Sequence, residues 1–127
     1  MEFGSAQHEV EPLVICPAGD LDFRSVGDVR DVIEYGLSSN IRGLIISLEG
    51  VSFLDSTGLS VLVGAWKKAR EIGLPFRIVS TNESIRASFR IKGLDKVMKL
   101  CASVPEALAA VASEPGAACR EGLAVGE

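Results

Sequence analysis

The chain has 127 residues, 47% hydrophobic and 24% charged, with 13 basic and 17 acidic side chains and a net charge of −4. That is the length and composition of one globular domain with its own core, and it excludes a disordered chain. Without a basic stripe or an apolar run of about 20 residues, nucleic-acid and membrane binding are not expected, so a protein partner is the better reading.

Residues 1–12 read as a separate N-terminal segment, open to interpretation as a short strand or in part a cloning remnant; they lack the basic start and apolar stretch of a signal peptide. The cytoplasm is therefore the expected location. Leu13 to Ala18 is a short apolar run closed by Gly19, after which Asp20, Leu21 and Asp22 lead into a helical pattern. Within Arg24 to Leu37, the residues Val26, Val29, Ile33 and Leu37 form one stripe, with Asp28, Arg30, Asp31 and Glu34 on the other faces.

Ser38, Ser39 and Asn40 break the helix, and Leu44 to Leu48 then has the adjacent apolar residues of a strand covered on both sides. Val51 to Leu54 extends briefly. From Thr57 the spacing of Leu59, Leu62, Val63, Trp66 and Ala69 predicts a second amphipathic helix, ending near Gly73 and Pro75. Phe76 to Val79 reads as a strand, Ile85 and Phe89 mark a short helix stopping at Gly93, and Val97 to Cys101 supplies a last strand. Ser103 and Glu106 have capping-box spacing ahead of a helix carrying Leu108 and Val111, which Pro115 ends.

Strands alternating with helices predict an α/β fold: one domain over residues 13–112, with a central mixed β-sheet of four to five strands and about four helices. Residues 113–127, rich in alanine, glycine and glutamate, read as a mobile tail. The three cysteines are far apart, with no CxxC pair, so neither a disulfide framework nor a zinc site is expected, and Cys16 and Cys101 are assigned to the core.

The segment Leu54-Asp55-Ser56-Thr57-Gly58-Leu59 places three small polar residues where a strand ends and a helix begins. Two readings fit it. Either Asp55, Ser56 or Thr57 caps the helix by accepting a bond from an orphan N–H, or a hydroxyl here is phosphorylated. A phosphate would bring about −1.5 to −2 charge units to the positive end of the helix dipole. A hydrolase is disfavoured, because the glycine two residues before the serine is missing and the only histidine, His8, lies near the N-terminus. No glycine-rich nucleotide loop with its lysine is present either.

At these residues the sequence resembles the STAS family, and within it the bacterial anti-sigma factor antagonists. Gly19-Asp20-Leu21-Asp22, Val51 to Gly64 with its Asp-Ser-Thr-Gly-Leu junction, and Ile91-Lys92-Gly93-Leu94 carry the resemblance. It implies partner switching: the unmodified protein binds an anti-sigma factor that is also its serine kinase, a sigma factor is freed, and phosphorylation ends the binding until a phosphatase reverses it. By position Ser56 is the phosphoacceptor, flanked by Asp55 and Thr57, and Asp22 of the early block lies near the same site.

Asp20, Asp22, Asp55, Thr57, Gly58, Ser60 and Gly64 are the expected partner- and kinase-recognition residues. The helix after Ser56 also carries Lys67, Lys68 and Glu71 off its buried stripe. No cofactor or metal is expected, since ATP and magnesium would come with the kinase. The competing expectation is a STAS accessory subunit of a larger assembly, such as a transporter complex, whose serine is never modified.

Overall fold

In the computed structural model, residues 11–113 are described. The expectations for the N-terminal segment before Glu11, for the tail beyond Ser113 and for His8 and Cys119 fall outside them. In chain order the elements are β1 (Leu13–Ile15), β2 (Ala18–Leu21), α1 (Val26–Leu37), β3 (Leu44–Ser47), β4 (Gly50–Leu54) and α2 (Ser56–Glu71). Then come β5 (Phe76–Val79), α3 (Glu83–Ile91), a 3-10 turn (Leu94–Lys96), β6 (Leu100–Cys101) and α4 (Val104–Ala112).

The strands form a four-stranded sheet in the order β1-β3-β5-β6 and a two-stranded companion, β2-β4. Every pairing among the described residues is parallel, with Leu13 opposite Leu44, Leu44 opposite Phe76, and Ile78 opposite Leu100. The companion ribbon continues the β1/β3 pair beyond a break at Cys16-Pro17 on one strand and Leu48-Glu49 on the other. Pro17 has no N–H to give the ladder, which splits the predicted run Leu13 to Ala18 in two.

Alternation along the strands divides the core. Leu44, Ile46, Phe76 and Ile78 pack with Leu62, Ala65 and Ala69 of α2, Ile33 of α1 and Phe89 of α3. Ile45, Val79 and Cys101 face the other way, against Ala107 and Val111 of α4. β3 is buried at all four of its residues, as its adjacent apolar residues Leu44, Ile45 and Ile46 predict, and Ser47 is buried with them.

Three sequence readings are corrected. Cys16 is exposed, not in the core, because it sits at the break between β1 and β2; Cys101 is buried, and burial, followed by the charge of Glu106, pushes its thiol pKa up. The last strand is only Leu100–Cys101, since Gly93, in the left-handed region at φ +71°, leads into a 3-10 turn over Leu94 to Lys96, and the Val97 and Met98 N–H groups donate back to the Leu94 carbonyl at 3.1 and 2.7 Å instead of joining a ladder. Finally, α1 starts at Val26 and not at Arg24, because Arg24 and Ser25 form a turn around Asp22.

The predicted capping box is present in part. Ser103 Oγ accepts from the Glu106 N–H at 3.2 Å, but the Glu106 carboxylate reaches back to the Ala102 N–H, one residue before the cap.

Candidate functional site

Leu21 of β2 lies opposite Leu54 of β4, so the two ribbon strands end side by side and deliver Asp22 and Asp55 to one end of the molecule. Both helices that follow, α1 and α2, therefore begin at that end. The register slips between Gly19 and Asp20, skipping Ser52 on β4, and Gly19 takes φ +83° at the slip.

The junction shows which of its polar residues is the cap. Asp55 is the N-cap of α2: its carboxylate accepts from the Gly58 N–H at 2.9 Å and its carbonyl accepts from the Leu59 N–H at 2.9 Å. Its own N–H donates to the Leu21 carbonyl at 3.3 Å, tying the two ribbon strands together. Ser56, the first residue of α2, is exposed, and its hydroxyl makes no hydrogen bond among the described residues. Capping is thus done by Asp55, and the serine has no structural task of its own.

Asp22 is held in a different way. It is 7% exposed, and its carboxylate accepts from the Arg24 N–H and the Arg24 guanidinium at 3.0 Å each, and from the Ser25 N–H at 3.3 Å. The guanidinium hydrogen bond is the chief reason its pKa lies below the ordinary carboxylate value, against the opposing effect of burial. Ser25 Oγ donates to the Asp20 carbonyl at 2.7 Å, which fixes the backbone of the early block while the Asp20 side chain stays exposed.

Around Ser56 the surface is grooved. One hollow of about 510 Å³ lies between α1 and α2, with Ile33, Leu37, Val61 and Ala65 as apolar lining and Arg30, Glu34 and Lys68 as charged lining. A second, of about 420 Å³, lies on the other side of α2, where Leu59 and Val63 meet Lys67, Lys92 and Leu94. Ser56, Ser60 and Gly64, spaced four apart on one face of α2, line both. They form a low ridge between two depressions.

A family model for the STAS domain matches residues 5–107. The chain belongs to the STAS family. Over 80 residues it is 31% identical to the anti-sigma-B factor antagonist of Staphylococcus aureus (strain NCTC 8325 / PS 47), spanning 63% of this chain and 74% of that protein. An anti-sigma factor antagonist from Mycobacterium paratuberculosis has a similar crystal structure, with a TM-score of 0.73 at 26% identity over 80% of this chain and 86% of the other. The Bacillus cell fate determinant SpoIIAA in its phosphorylated form matches with a TM-score of 0.64 at 24% identity, over 80% and 92% of the two chains, which shows the shared fold.

In this STAS chain the expected recognition residues divide by position. Ser60 and Gly64 are exposed on the ridge, Thr57 is half-buried in the wall of the α1/α2 hollow, and Asp55 is the cap. Gly58 is buried against β2 and presents no side chain to a partner. Asp20 is exposed on the ribbon, and Asp22 is occupied by its own turn.

Sequence reasoning missed Arg30, Lys92 and Leu94 as walls of the two hollows. The sequence reading places Arg30 off the apolar stripe of α1. Its spacing to Ile33, Glu34 and Leu37, three, four and seven residues on, puts it on one helix face with them, and the structure sets that face against α2. Among the described residues no cluster of histidine, cysteine and carboxylate side chains could hold a metal ion, and no helix is long and apolar enough to cross a membrane.

Proposed function

We infer that this chain is a cytoplasmic anti-sigma factor antagonist switched by phosphorylation of Ser56. The unmodified protein binds, through the grooved face around Ser56, an anti-sigma factor that is also its serine kinase, and a sigma factor is released. Phosphorylation ends the binding, and a phosphatase restores it. The protein acts as a regulatory binding module and kinase substrate, with ATP and magnesium held by the kinase.

The observation that carries this reading is the uncommitted, exposed hydroxyl of Ser56 beside a cap supplied by Asp55. A kinase can take that hydroxyl without unmaking any bond of the fold. The relatives named as anti-sigma factor antagonists support the partner class, and the phosphorylated SpoIIAA structure supports the modification on the same fold.

The energetics are sufficient. A phosphate at the first residue of α2 is tolerated by the helix dipole, so the fold survives it. A partner packed over the ridge would have to desolvate that charge, and every 1.4 kcal/mol so lost weakens binding about tenfold. Asp20, Asp22, Asp55, Thr57, Ser60 and Gly64 surround or position the contact, while Gly58 acts through the backbone.

The test is incubation with the cognate anti-sigma kinase and ATP, followed by mass-spectrometric mapping beside a Ser56→Ala control. Phosphate on Ser56, absent from the control, is expected together with loss of kinase binding. An unmodified chain with every cognate kinase would overturn the reading and favour the unregulated accessory subunit.

A further inference from the structure

The hollow between α1 and α2 has Ser56 on one wall and Arg30 on the other. Arg24 and Arg90 are tied to Asp22 and Glu83, but Arg30 makes no hydrogen bond or ion pair among the described residues. Glu34, one turn further along α1, lines the same hollow without pairing with it. A guanidinium left unpaired on the wall of a cavity is free to meet an anion that arrives there.

We propose that the phosphate on Ser56 is captured by Arg30 across this hollow, so that the modified state is held by a phosphoserine–guanidinium pair bridging α1 and α2. This rests on the reading of Ser56 as the phosphorylated residue. The geometry follows from the ribbon: β2 and β4 end side by side, so α1 and α2 both start from that end of the molecule. Arg30 is four residues into α1, or about 6 Å from its start, and lines the same hollow as Ser56, Thr57 and Ser60 of the first turns of α2.

Two of the other cations are farther off. Lys67 and Lys68 lie 11 and 12 residues beyond Ser56 on α2, about 16 to 18 Å along the axis. Lys92, after α3, lies across the second hollow, on the far side of the ridge from Arg30. Of the nearby carboxylates, Asp55 is engaged with the Gly58 N–H and Asp22 with Arg24, which leaves Glu34 as the one acid of α1 lining the hollow. Arginine suits the task, since its planar fork can hold two phosphate oxygens at once.

Capture changes what phosphorylation does. A phosphate swinging freely over the ridge would repel a partner by charge alone. Drawn toward Arg30, it also fills the Ser56 end of the hollow, removing docking space there.

Phosphoserine introduced at position 56 by genetic encoding provides the modified full-length chain without any kinase. Its second phosphate ionisation, near pH 6 in the free group, is followed by phosphorus NMR through a pH titration. In the native background it is expected about 1 unit lower than in Arg30→Gln, with Arg30→Lys intermediate and Lys92→Gln matching the native background. The field of the α2 N-terminus is common to all four, so the difference isolates Arg30.

Unmodified Arg30→Gln is expected to melt with the unmodified parent, as befits an exposed residue without partners. Coincident titrations of the native and Arg30→Gln chains, or a larger displacement in Lys92→Gln, would overturn the proposal. A kinase that fails to modify Ser56 counts against the functional reading alone, because the encoded phosphate reports on Arg30 in either case.

Discussion

Replacing Gly58 by alanine tests whether the two sequence blocks at the site are locked together by backbone contact. Gly58 is the third residue of α2, and a Cβ added there would lie 2.6 Å from the Leu21 carbonyl oxygen, 2.8 Å from Leu54 Cδ1 and 3.1 Å from Leu21 Cγ. Helix propensity alone favours alanine over glycine by about 1 kcal/mol. Overpacking of this kind costs about 1–3 kcal/mol, and the upper end applies because the nearest atom is backbone. That carbonyl also accepts the Asp55 N–H, so it cannot retreat without loosening the cap.

The balance is a net loss of about 2 kcal/mol, or a fall of about 8 °C or more in Tm for a domain of roughly 100 residues. The matched control is Gly64→Ala, where the added Cβ meets nothing within 4 Å. That exposed helical site should gain about 0.5–1 kcal/mol. Thermal and urea melts followed by circular dichroism measure both. A Gly58→Ala chain as stable as the parent, or a Gly64→Ala chain less stable, would refute the reasoning.

Truncating core residues should separate them from the ridge. Leu62→Ala and Ile46→Ala, each at a fully buried position, should cost about 2–5 kcal/mol, whereas exposed Ser60→Ala should stay within about 0.5 kcal/mol of the parent in urea melts. The Asp22 turn predicts a pH effect. Because the folded carboxyl titrates below its ordinary value of 3.8, its stabilisation is present above that pH and is lost as pH falls through the lower folded-state pKa. Tm measured from pH 6 down to pH 2 should therefore fall less steeply on the acid side in Asp22→Asn than in the parent, and parallel curves would contradict the assignment.

Much of this protein was legible in its sequence because period and punctuation are local properties. The stripe of Val26, Val29, Ile33 and Leu37 marked α1, and the spacing of Leu59, Leu62 and Trp66 marked α2. The adjacent apolar residues of Leu44 to Leu48 suited a strand covered on both faces, and Gly73 and Gly93 ended the helices before them. The Asp-Ser-Thr-Gly-Leu junction likewise located the site, since a strand end followed by small polar residues and an amphipathic stripe needs no long-range information.

Only the tertiary structure decided which residue does what there. Asp55, Ser56 and Thr57 are equivalent as cap formers on paper, and it is the backbone direction out of β4 that aims the Asp55 carboxylate at the Gly58 N–H and leaves Ser56 free. The break at Pro17, which splits one predicted strand into β1 and β2, exposes Cys16 and sets Leu21 against Gly58. Those contacts join residues more than 30 positions apart. They depend on how β2 and β4 register, and with them comes the placement of Arg30 in the same hollow as Ser56, which no local pattern can specify.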